Sequence, residues 1–424
     1  MQASKVEFIM PDYIKEYKEQ YQSLVSNKGL DLNKFEDWKY NKLNFIKKNK
    51  FIISDISDLK NTSGQNIPKE KIDELLLADS YNIVFISGKF YFLDKLDKDN
   101  IDNKVYLNSI NDYLNNNNYF TEESNSVDNY FEALNNANFS DGYCIVVKEN
   151  IILNKPINII FVNSETDTNI ISNLKNYIIF ENNAKAKVLV NYLELDSNLN
   201  NKYFLNNNTK ICLAEKAELL LYKTQNQSDA SYNVSYFNIN QSKNSNFKFY
   251  NFVYGSLFSK DTIRVNLNGE QAFCGLYGII SAKDKQYLDV NTRVHHNIKN
   301  CSSFENYKGL ADDKSIAVFN GSIVVKEGAS NTDARMSNKN LLLSDNANIY
   351  TKPELKIYND DVKCSHGTTI GSLDPSALFY LQSRGLSYEN ARKMLVDAFL
   401  GEIVNLDSDL SAEAKDYILS NLKN

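Results

Sequence analysis

The spacing of apolar residues changes twice along the chain. In the first part they recur every three or four residues, as at Ile14, Tyr17 and Tyr21, which is the spacing of an amphipathic helix. Further on they alternate with polar residues, as in a β-strand, and the helical spacing returns near the end. The pattern predicts three regions: a mainly helical one over 1–135, a β-rich core over 136–373 and a helical one over 374–424.

The first region also contains signals for individual elements. Pro11 and Gly29 bracket a helical stripe, as expected for residues that begin and end helices. The segment Tyr81–Leu93 alternates in polarity, and Ser87-Gly88 supplies a turn, so this segment predicts a β-hairpin. Trp38 lies among apolar and aromatic residues, which indicates a place in a packed core.

The β-rich core consists of segments that each begin with small polar residues and continue as an alternating or apolar strand. They recur at intervals of about 30 residues, which is typical of a solenoid. No helical pattern separates them, as a doubly wound sheet would require. A sandwich or barrel needs many hairpins, whereas the main turn dipeptides are Asn268-Gly269 and Asn320-Gly321. We therefore predict a mainly β protein with a parallel β-helix core whose open ends are capped by the terminal helices. The segments begin at Asn182, Ala214, Lys243, Gly269, Asn300 and Glu327.

The C-terminal region carries clear helix signals. Asp374 is a good N-cap, Pro375 suits the first helical position, and Gly385 ends the helix. Ser387 caps a second helix, and residues from Ser411 to Leu422 predict a third. These helices are interpreted as a cap or as a docking surface. The apolar stripe of the second helix comprises Ala391, Met394, Leu395, Ala398, Phe399 and Ile403.

Composition narrows the functional classes. A net charge of −6 argues against nucleic acid or an acidic membrane as a partner, and no apolar run reaches the roughly 18 residues that a membrane span needs. The first residues lack the apolar core of a secretory signal. Five widely spaced cysteines predict neither a disulfide framework nor a zinc module, which favours the cytoplasm. Asparagine occupies many expected turns, an enrichment that we attribute mainly to biased genome composition.

Cys364 and His366 are the strongest candidates for chemistry. Side chains two residues apart on a strand point to the same side, so a thiol and an imidazole share one face. Sulfur and imidazole nitrogen suit iron, copper or zinc, but two ligands do not complete a site. Further ligands must come from elsewhere in the chain or from a partner. A hydrogen-bonded turn histidine and a structural buried thiol are the alternatives.

Other candidates carry weaker signals. His295 and His296 lie close to Cys301, but consecutive residues on a strand face opposite sides, which favours packed or surface roles. Cys274 and Cys301 resemble strand-interior residues. Asp360-Asp361 are adjacent carboxylates that would also diverge, with no recognisable nucleophile nearby. Nothing resembles a nucleotide-binding GxxxxGK[ST] motif, so any ATP hydrolysis belongs to a partner.

The chain from Tyr307 onward is specific enough to compare with a known family. CSHGTT followed by LDPSALFYLQSRGL closely resembles the SufB/SufD family of iron–sulfur cluster assembly scaffolds. The match is to its SufD branch, because SufB-like chains carry a glutamate-bearing sequence at that point. Weaker resemblance extends upstream through NTRVHHNIKNCSS, FEALNNANFSDGYCIVV and EDWKY.

The resemblance implies a right-handed parallel β-helix between two helical domains, in a non-catalytic scaffold. It implies pairing with a SufB-like subunit through the β-helix ends, docking of the SufC ABC-type ATPase on the C-terminal helices, and a homodimer in isolation. His366 and Cys364 correspond to the family's functional pair, where a transient iron–sulfur cluster would be shared with SufB. We place the ATPase-docking surface on Arg384, Gly385, Glu389, Arg392, Leu395 and Phe399.

Two other functions remain open on the sequence. A β-helix polysaccharide lyase or hydrolase would carry acidic clusters along an exposed groove, whereas the suggestive residues here lie near one end of the solenoid. A purely structural β-helix would mediate assembly without handling iron or sulfur.

Overall fold

The computed structural model describes residues 12–28, 38, 48–53, 69–93, 104–116, 130–163, 168–194 and 201–404. Six helices and twenty strands lie within these ranges. The helices are α1 (Asp12–Lys28), α2 (Lys69–Asp73), α3 (Ile110–Asn116), α4 (Tyr130–Asn138), α5 (Pro375–Ser383) and α6 (Tyr388–Val404). The strands are β1 (Ile52–Ile53), β2 (Tyr81–Ile86), β3 (Lys89–Leu93), β4 (Val105–Ser109), β5 (Tyr143–Val147), β6 (Ile157–Asn163), β7 (Ile170–Phe180), β8 (Lys185–Glu194), β9 (Tyr203–Leu213), β10 (Glu218–Asn226), β11 (Ser231–Gln241), β12 (Asn246–Val253), β13 (Phe258–Leu267), β14 (Phe273–Ala282), β15 (Tyr287–His296), β16 (Ser302–Ala311), β17 (Ile316–Val325), β18 (Thr332–Leu342), β19 (Asn348–Ile357) and β20 (Val362–Ser372).

The strands form two ten-stranded sheets within the described residues. Sheet A has the order β4-β5-β7-β9-β11-β13-β15-β17-β19, with β1 beside β7. Sheet B has the order β3-β2-β6-β8-β10-β12-β14-β16-β18-β20. The chain alternates between the sheets, and successive strands within each sheet are parallel from β5 and β6 onward. This parallel solenoid of about seven turns confirms the predicted mainly β fold.

The signals in the N-terminal region correspond to observed elements. The segment 81–93 forms the antiparallel pair β2 and β3, and its turn residues Ser87 and Gly88 both have positive φ. Trp38 is buried, with its ring 4.8 Å from that of Phe131. Strands β1 to β4 nevertheless pair with the solenoid sheets, so this region contributes directly to the β structure. The boundary near residue 135 stays a prediction.

The six segments recognised in the sequence all belong to one sheet. They supply β8, β10, β12, β14, β16 and β18 of sheet B, each preceded by a polar corner. The strands of sheet A lie between them. The turns differ in length. The number of residues from Ile170 to its pairing partner Tyr203 is larger than the number from Tyr232 to its partner Phe258. This variation explains why the sequence repeat is irregular.

Neither of the two expected turn dipeptides forms a hairpin. Asn268-Gly269 turns the solenoid corner between β13 and β14, where a Cβ on Gly269 would lie 1.9 Å from the backbone nitrogen of Lys243. Asn320-Gly321 lies inside β17, and Gly321 leaves room for the sulfur of Met336. Gly269 is therefore required by close stacking between successive turns, and Gly321 by the close approach of Met336 from the facing sheet.

A column of left-handed residues forms one corner of the solenoid. Asparagine tolerates this conformation better than most residues, because its side chain hydrogen-bonds locally. The amide of Asn183 donates to the carbonyl of Glu215 in the next turn, and its side-chain nitrogen donates to Asn150 Oδ1 at 2.8 Å. Asparagine at this corner thus has a structural cause, whatever the composition of the genome. The column comprises Asn150, Asn183, Lys216, Asn244, Gln271, Asn300 and Asn331.

The solenoid interior is mainly apolar, with a polar line through it. Near the N-terminal end the rings of Phe85, Phe161 and Tyr192 stack with centroids 4.9 and 5.1 Å apart. Further along, Lys223 Nζ lies 2.5 Å from Asp261 Oδ2, and both side chains are fully buried. We call the polar residues that follow the interior from this pair toward the last turn the interior seam. It comprises Lys223, Asn251, Asp261, Glu305, Tyr307 and Asn338.

The two ends of the solenoid differ. The N-terminal end finishes in the antiparallel strands β3 and β4, which pair with β2 and β5. At the C-terminal end β19 and β20 are the last strands, and most residues of β20 are exposed. Helix α6 packs against an apolar patch on the outside of sheet B that includes Tyr250, Ile279 and Leu310. The expectation that the C-terminal helices cap this end is therefore wrong for the described helices, because α6 covers the side of the solenoid and α5 has no buried residue.

We expect Lys223→Met to lower the free energy of unfolding by about 3–5 kcal/mol, because the Asp261 carboxylate would remain buried without its cation. Lys185→Met is the matched control. Its ammonium lies 2.6 Å from Glu218, but both side chains are more than 40% exposed, so the loss should stay below about 1 kcal/mol. Urea denaturation followed by circular dichroism measures both. Equal losses in the two variants would contradict a buried ion pair.

Candidate functional site

Cys364 and His366 lie together on the last strand of sheet B. In β20, Cys364 pairs with Ala334 of β18 and His366 pairs with Met336. Both partners belong to the interior core, so the two candidate ligands occupy the inward column at the open end. Residues two apart on a strand are separated by about 6.6 Å between Cα atoms. The predicted sharing of one face is confirmed.

The two side chains differ in their surroundings. Cys364 is half-buried against the interior core, and burial raises the pKa of its thiol, which a backbone hydrogen bond with Ala334 partly opposes. Its reactive thiolate is therefore disfavoured until a metal or a cation approaches. His366 is exposed and available to a partner. Beside them, the hydroxyls of Thr351 on β19 and Thr368 on β20 lie 3.1 Å apart and link the last two strands.

The strand that carries this pair has one free edge. Within the described residues β20 pairs only with β18, so a row of backbone donors and acceptors on its other side faces outward. Such an edge can take a further strand. The described part of the chain contains no group of three histidine, cysteine or acidic side chains that could hold a metal. The pair is thus half of a possible metal site, at an edge suited to a partner.

The remaining histidines and cysteines do not join this site. His295 and His296 face opposite sides of β15, as predicted. Inside, His296 Nε2 lies 2.9 Å from the Ser303 hydroxyl, and burial, with a smaller effect of His295, lowers the pKa of His296 to about 4. Burial raises the pKa of both Cys274 and Cys301. Cys274 lies inside β14, but Cys301 lies at the corner before β16 and donates to the carbonyl of Gly269.

The paired carboxylates Asp360 and Asp361 lie at the corner between β19 and β20, and not on a strand. The carbonyl of Asp361 accepts a hydrogen bond from the amide of Asn331, 2.7 Å away. Asp361 therefore helps to stack the last turn on the turn below it.

Helix α5 begins and ends as its sequence predicts but is almost unsupported. Asp374 accepts a hydrogen bond from the amide of Ser376, Pro375 occupies the first position, and Gly385 follows the helix with φ of 96°. The helix has no buried residue. Phe379 is 73% exposed and Tyr380 is 57% exposed. These aromatic side chains form an uncovered apolar surface directly after the last strand.

Helix α6 is fastened to the solenoid near both of its ends. Near its start Arg392 binds Asp312, at a corner of the solenoid. Near its end Glu402 lies 2.7 Å from Lys308, which is buried and also lies over the ring of Phe399. Helix α6 is therefore held against the solenoid by an ion pair near each of its ends.

The predicted docking residues differ in their exposure to solvent. Arg392 and Phe399 face the solenoid, whereas Arg384, Gly385 and Glu389 are exposed. Leu395 is partly buried. Within the apolar stripe, Ala391 and Ile403 are buried but Met394 and Ala398 are exposed.

Four exposed residues lie beside this surface, and three of them, Phe379, Tyr380 and Tyr388, were missed from the sequence. Phe379 and Tyr380 belong to the run ALFYL in α5, which is too apolar for a helix with no buried face. This strongly apolar run was the feature of the sequence that could have indicated an exposed binding surface. Tyr388 and Met394 on α6 extend the same uncovered surface. The helix predicted over 411–422 lies outside the described residues.

Comparison with known proteins defines the class. Residues 161–399 match the family model described as SUF system FeS cluster assembly, SufBD core domain. The match covers more than half of the chain and includes most of the solenoid, the Cys364–His366 strand and nearly all of the two C-terminal helices. The chain therefore belongs to the SufBD family of iron–sulfur cluster assembly proteins.

Individual relatives place the chain near the SufD members. It is 26% identical to the iron–sulfur cluster assembly protein SufD of Escherichia coli over 385 residues, which cover 88% of this chain and 85% of the relative. It is 25% identical to SufD of Bacillus subtilis over 68% of this chain and 65% of the relative. A SufBD family protein of Synechocystis is 31% identical over 65% of this chain, and the chain spans 62% of that relative's length.

Among the described residues no helix is long and apolar enough to cross a membrane.

We expect Glu402→Gln to loosen the end of α6, because Lys308 would lose its carboxylate partner. The hydrogen bond from Lys308 is the main cause that lowers the pKa of Glu402 below 4.5. A carboxyl group whose pKa is lower in the folded protein stabilises it above the unfolded value, and the stabilisation is lost as pH falls through the folded pKa. Protection factors for hydrogen exchange across α6, which are corrected for the intrinsic pH dependence of exchange, should therefore fall in the wild type below pH 4.5 and already be low at neutral pH in the variant.

Glu389→Gln, which changes an exposed carboxyl on the same helix, should leave exchange across α6 unchanged. Unaltered protection in Glu402→Gln would show that the ion pair does not hold the helix.

Proposed function

We propose that the chain is a non-catalytic scaffold subunit of a cytoplasmic SufBCD-type complex, in which an iron–sulfur cluster is built at its junction with a SufB-like subunit. The observation that carries the proposal is the position of Cys364 and His366 in the inward column of an exposed terminal strand. Two ligands at an unpaired strand edge are suited to a site that a second subunit completes. Membership of the SufBD family supports the same conclusion.

The junction forms by extension of the solenoid. The free edge of β20, and that of β19 beside it, offer backbone donors and acceptors to the terminal strands of a SufB-like subunit. Strand pairing of this kind fixes the register, so the partner's ligands would meet the two side chains in one defined position. In the absence of SufB, the same edge pairs with a second copy of this chain.

The cluster is the cargo of the site, not a resident cofactor. His366 offers an imidazole nitrogen, which is a suitable ligand for iron. Cys364 offers sulfur once its proton is lost. The remaining ligands come from the partner, so the cluster can leave when the junction opens.

The SufC ATPase docks on the exposed surface of the C-terminal helices. Arg384, Gly385, Glu389 and Leu395 form this surface together with the uncovered aromatic residue Phe379 and its neighbours on α5. Exposed aromatic and arginine side chains are the usual anchors of protein interfaces. Arg392 and Phe399 contribute from beneath, because they hold α6 in position.

We expect His366→Ala to remain folded and to bind both partners, while cluster assembly falls at least tenfold. The side chain is exposed, so its removal costs little stability, whereas it removes a ligand from the junction. Anaerobic co-expression with SufB- and SufC-like partners, followed by iron and sulfide analysis of the purified complex, measures the result.

Ser365→Ala is the matched control, since Ser365 is exposed on the same strand but points to the opposite face. A normal cluster yield from His366→Ala would indicate that the chain is a purely structural subunit.

We expect Phe379→Asp to weaken binding of the ATPase by about tenfold or more without unfolding the chain. The substitution places a charge in the centre of an apolar contact, yet the side chain has no buried role in this subunit. Co-purification and calorimetry with the ATPase subunit measure the change, with Lys393→Glu on an exposed part of α6 as a charge control. Unchanged affinity of the ATPase for Phe379→Asp would show that it does not dock on α5.

A further inference from the structure

A buried acid lies inside the solenoid two turns behind the candidate site. Glu305 on β16 pairs with Leu276 on β14 and with Met336 on β18, and both neighbours belong to the interior core. The Glu305 side chain is fully buried. Among the described residues neither of its carboxylate oxygens has a hydrogen-bond partner. Such a carboxyl group is unusual, because buried acids are normally paired or hydrogen-bonded.

Burial favours the protonated form of this group. It raises the pKa of Glu305 from 4.5 to about 7, and the nearby Thr292 hydroxyl partly opposes the rise. At neutral pH the side chain is therefore present in both the protonated and the ionised form.

The groups around Glu305 do not supply a cation to it. Burial, and next the Glu305 carboxylate, raise the pKa of Cys274 and of Tyr307. His296 stays neutral at physiological pH. Lys223 is committed to Asp261. Glu305 is thus free to gain or lose a proton without breaking an ion pair. The titratable groups that interact with it are Cys274 on β14 and Tyr307 on β16. Asp261 on β13 interacts with Tyr307, and His296 is buried on β15.

The interior seam continues from Glu305 to the last turn. The carbonyl of Tyr307 accepts from Asn338 at 3.1 Å, and Asn340 donates to Asn338 at 2.6 Å and to the carbonyl of Thr369 on β20 at 3.0 Å. The buried hydroxyls of Tyr307 and Thr292 lie close to Asn251 and Glu305 respectively, but make no hydrogen bond of normal geometry among the described residues. Buried polar atoms of this kind are the positions at which proteins bind ordered water.

Register places Glu305 directly behind the candidate ligands. Glu305, Met336 and His366 occupy one column on three successive strands of sheet B. At about 4.8 Å between strands, the carboxyl group lies roughly 10 Å from the ligand position along the solenoid axis. Met336 fills the column between them, so a proton would have to pass through water bound at the polar atoms beside that column.

We propose that Glu305 is the internal proton acceptor of the last turn, receiving through the interior seam the protons released when thiol ligands bind iron at the junction. The inference rests on the proposed function. A thiol from Cys364 or from the partner loses its S–H bond, its sulfur keeps the electron pair and bonds to iron, and the proton forms an O–H bond on ionised Glu305. Iron and sulfur keep their oxidation states. A junction closed to bulk water needs such an acceptor, because metal binding to protonated ligands releases protons.

Glu305→Gln tests the proposal, since it keeps the shape of the side chain and removes its titration. In the isolated chain, infrared difference spectra between pH 6 and pH 8 should show a larger loss of buried protonated carboxyl in the wild type than in the variant, where only Asp141, whose pKa burial raises to about 6, still contributes. An acid with a raised pKa stabilises the fold less as pH rises from its unfolded value to its folded value. The folding equilibrium constant of the wild type should therefore fall roughly a hundredfold relative to the variant between pH 4.5 and 7.

The same variant is then measured in the complex with SufB- and SufC-like partners. Anaerobic cluster assembly should rise with pH through about 7 in the wild type, and it should be slower and lack that rise in Glu305→Gln. Glu218→Gln, a surface carboxyl on the outside of β10, should behave as the wild type.

The outcomes separate the two proposals. If the wild-type complex builds no cluster, the proposed function fails, while the infrared and stability measurements still report on Glu305. If the complex builds clusters with the same rate and pH profile in Glu305→Gln, the proton-acceptor role is overturned. A variant that loses the infrared signal but keeps the wild-type assembly profile overturns it as well, because the acid would then be only structural.

Discussion

The in-register stacking of parallel strands is the constraint on which the rest of the molecule depends. Because each residue pairs with its counterpart in the next turn, each inward position is repeated along the axis as a column. Corners must then coincide, which is why one column of left-handed residues recurs from Asn150 to Asn331. The same stacking carries the polar line through the interior, and it brings Cys364 and His366 into the inward column at the last strand. The stacking of the strands and the position of Cys364 and His366 thus both follow from the same in-register pairing.

The class of fold could be read from the sequence because local signals repeat. Polar corners at similar intervals, and alternation between them, specify a solenoid even though its turns differ in length. The position of the C-terminal helices could not be read in this way. Their location depends on an apolar patch outside sheet B, to which separate strands contribute Tyr250, Ile279 and Leu310. No single segment contains that patch, so only the assembled sheet shows what α6 must cover.

The site was recognisable in part. The spacing of Cys364 and His366 predicts a common face, since period two is a property of any strand. Which docking residues turn inward was not accessible, because Arg392 reaches Asp312 across the fold. Glu305 was invisible for a related reason. The residues next to Glu305 in the sequence do not indicate that it is buried. It lies between Leu276 and Met336 of the neighbouring strands, and this packing is what surrounds it with apolar side chains.

The final turn, which no strand or helix covers within the described residues, has a consequence for the lifetime of the protein in the cell. In a stack where each turn contacts only its neighbours, the last one is held from a single side and opens at the lowest free energy. The residues that would handle iron therefore sit where the chain frays first. A subunit without its partner would expose this edge to proteases, whereas an assembled one would shield it. Abundance of the subunit would then follow that of its partner, an automatic matching of stoichiometry that needs no regulator.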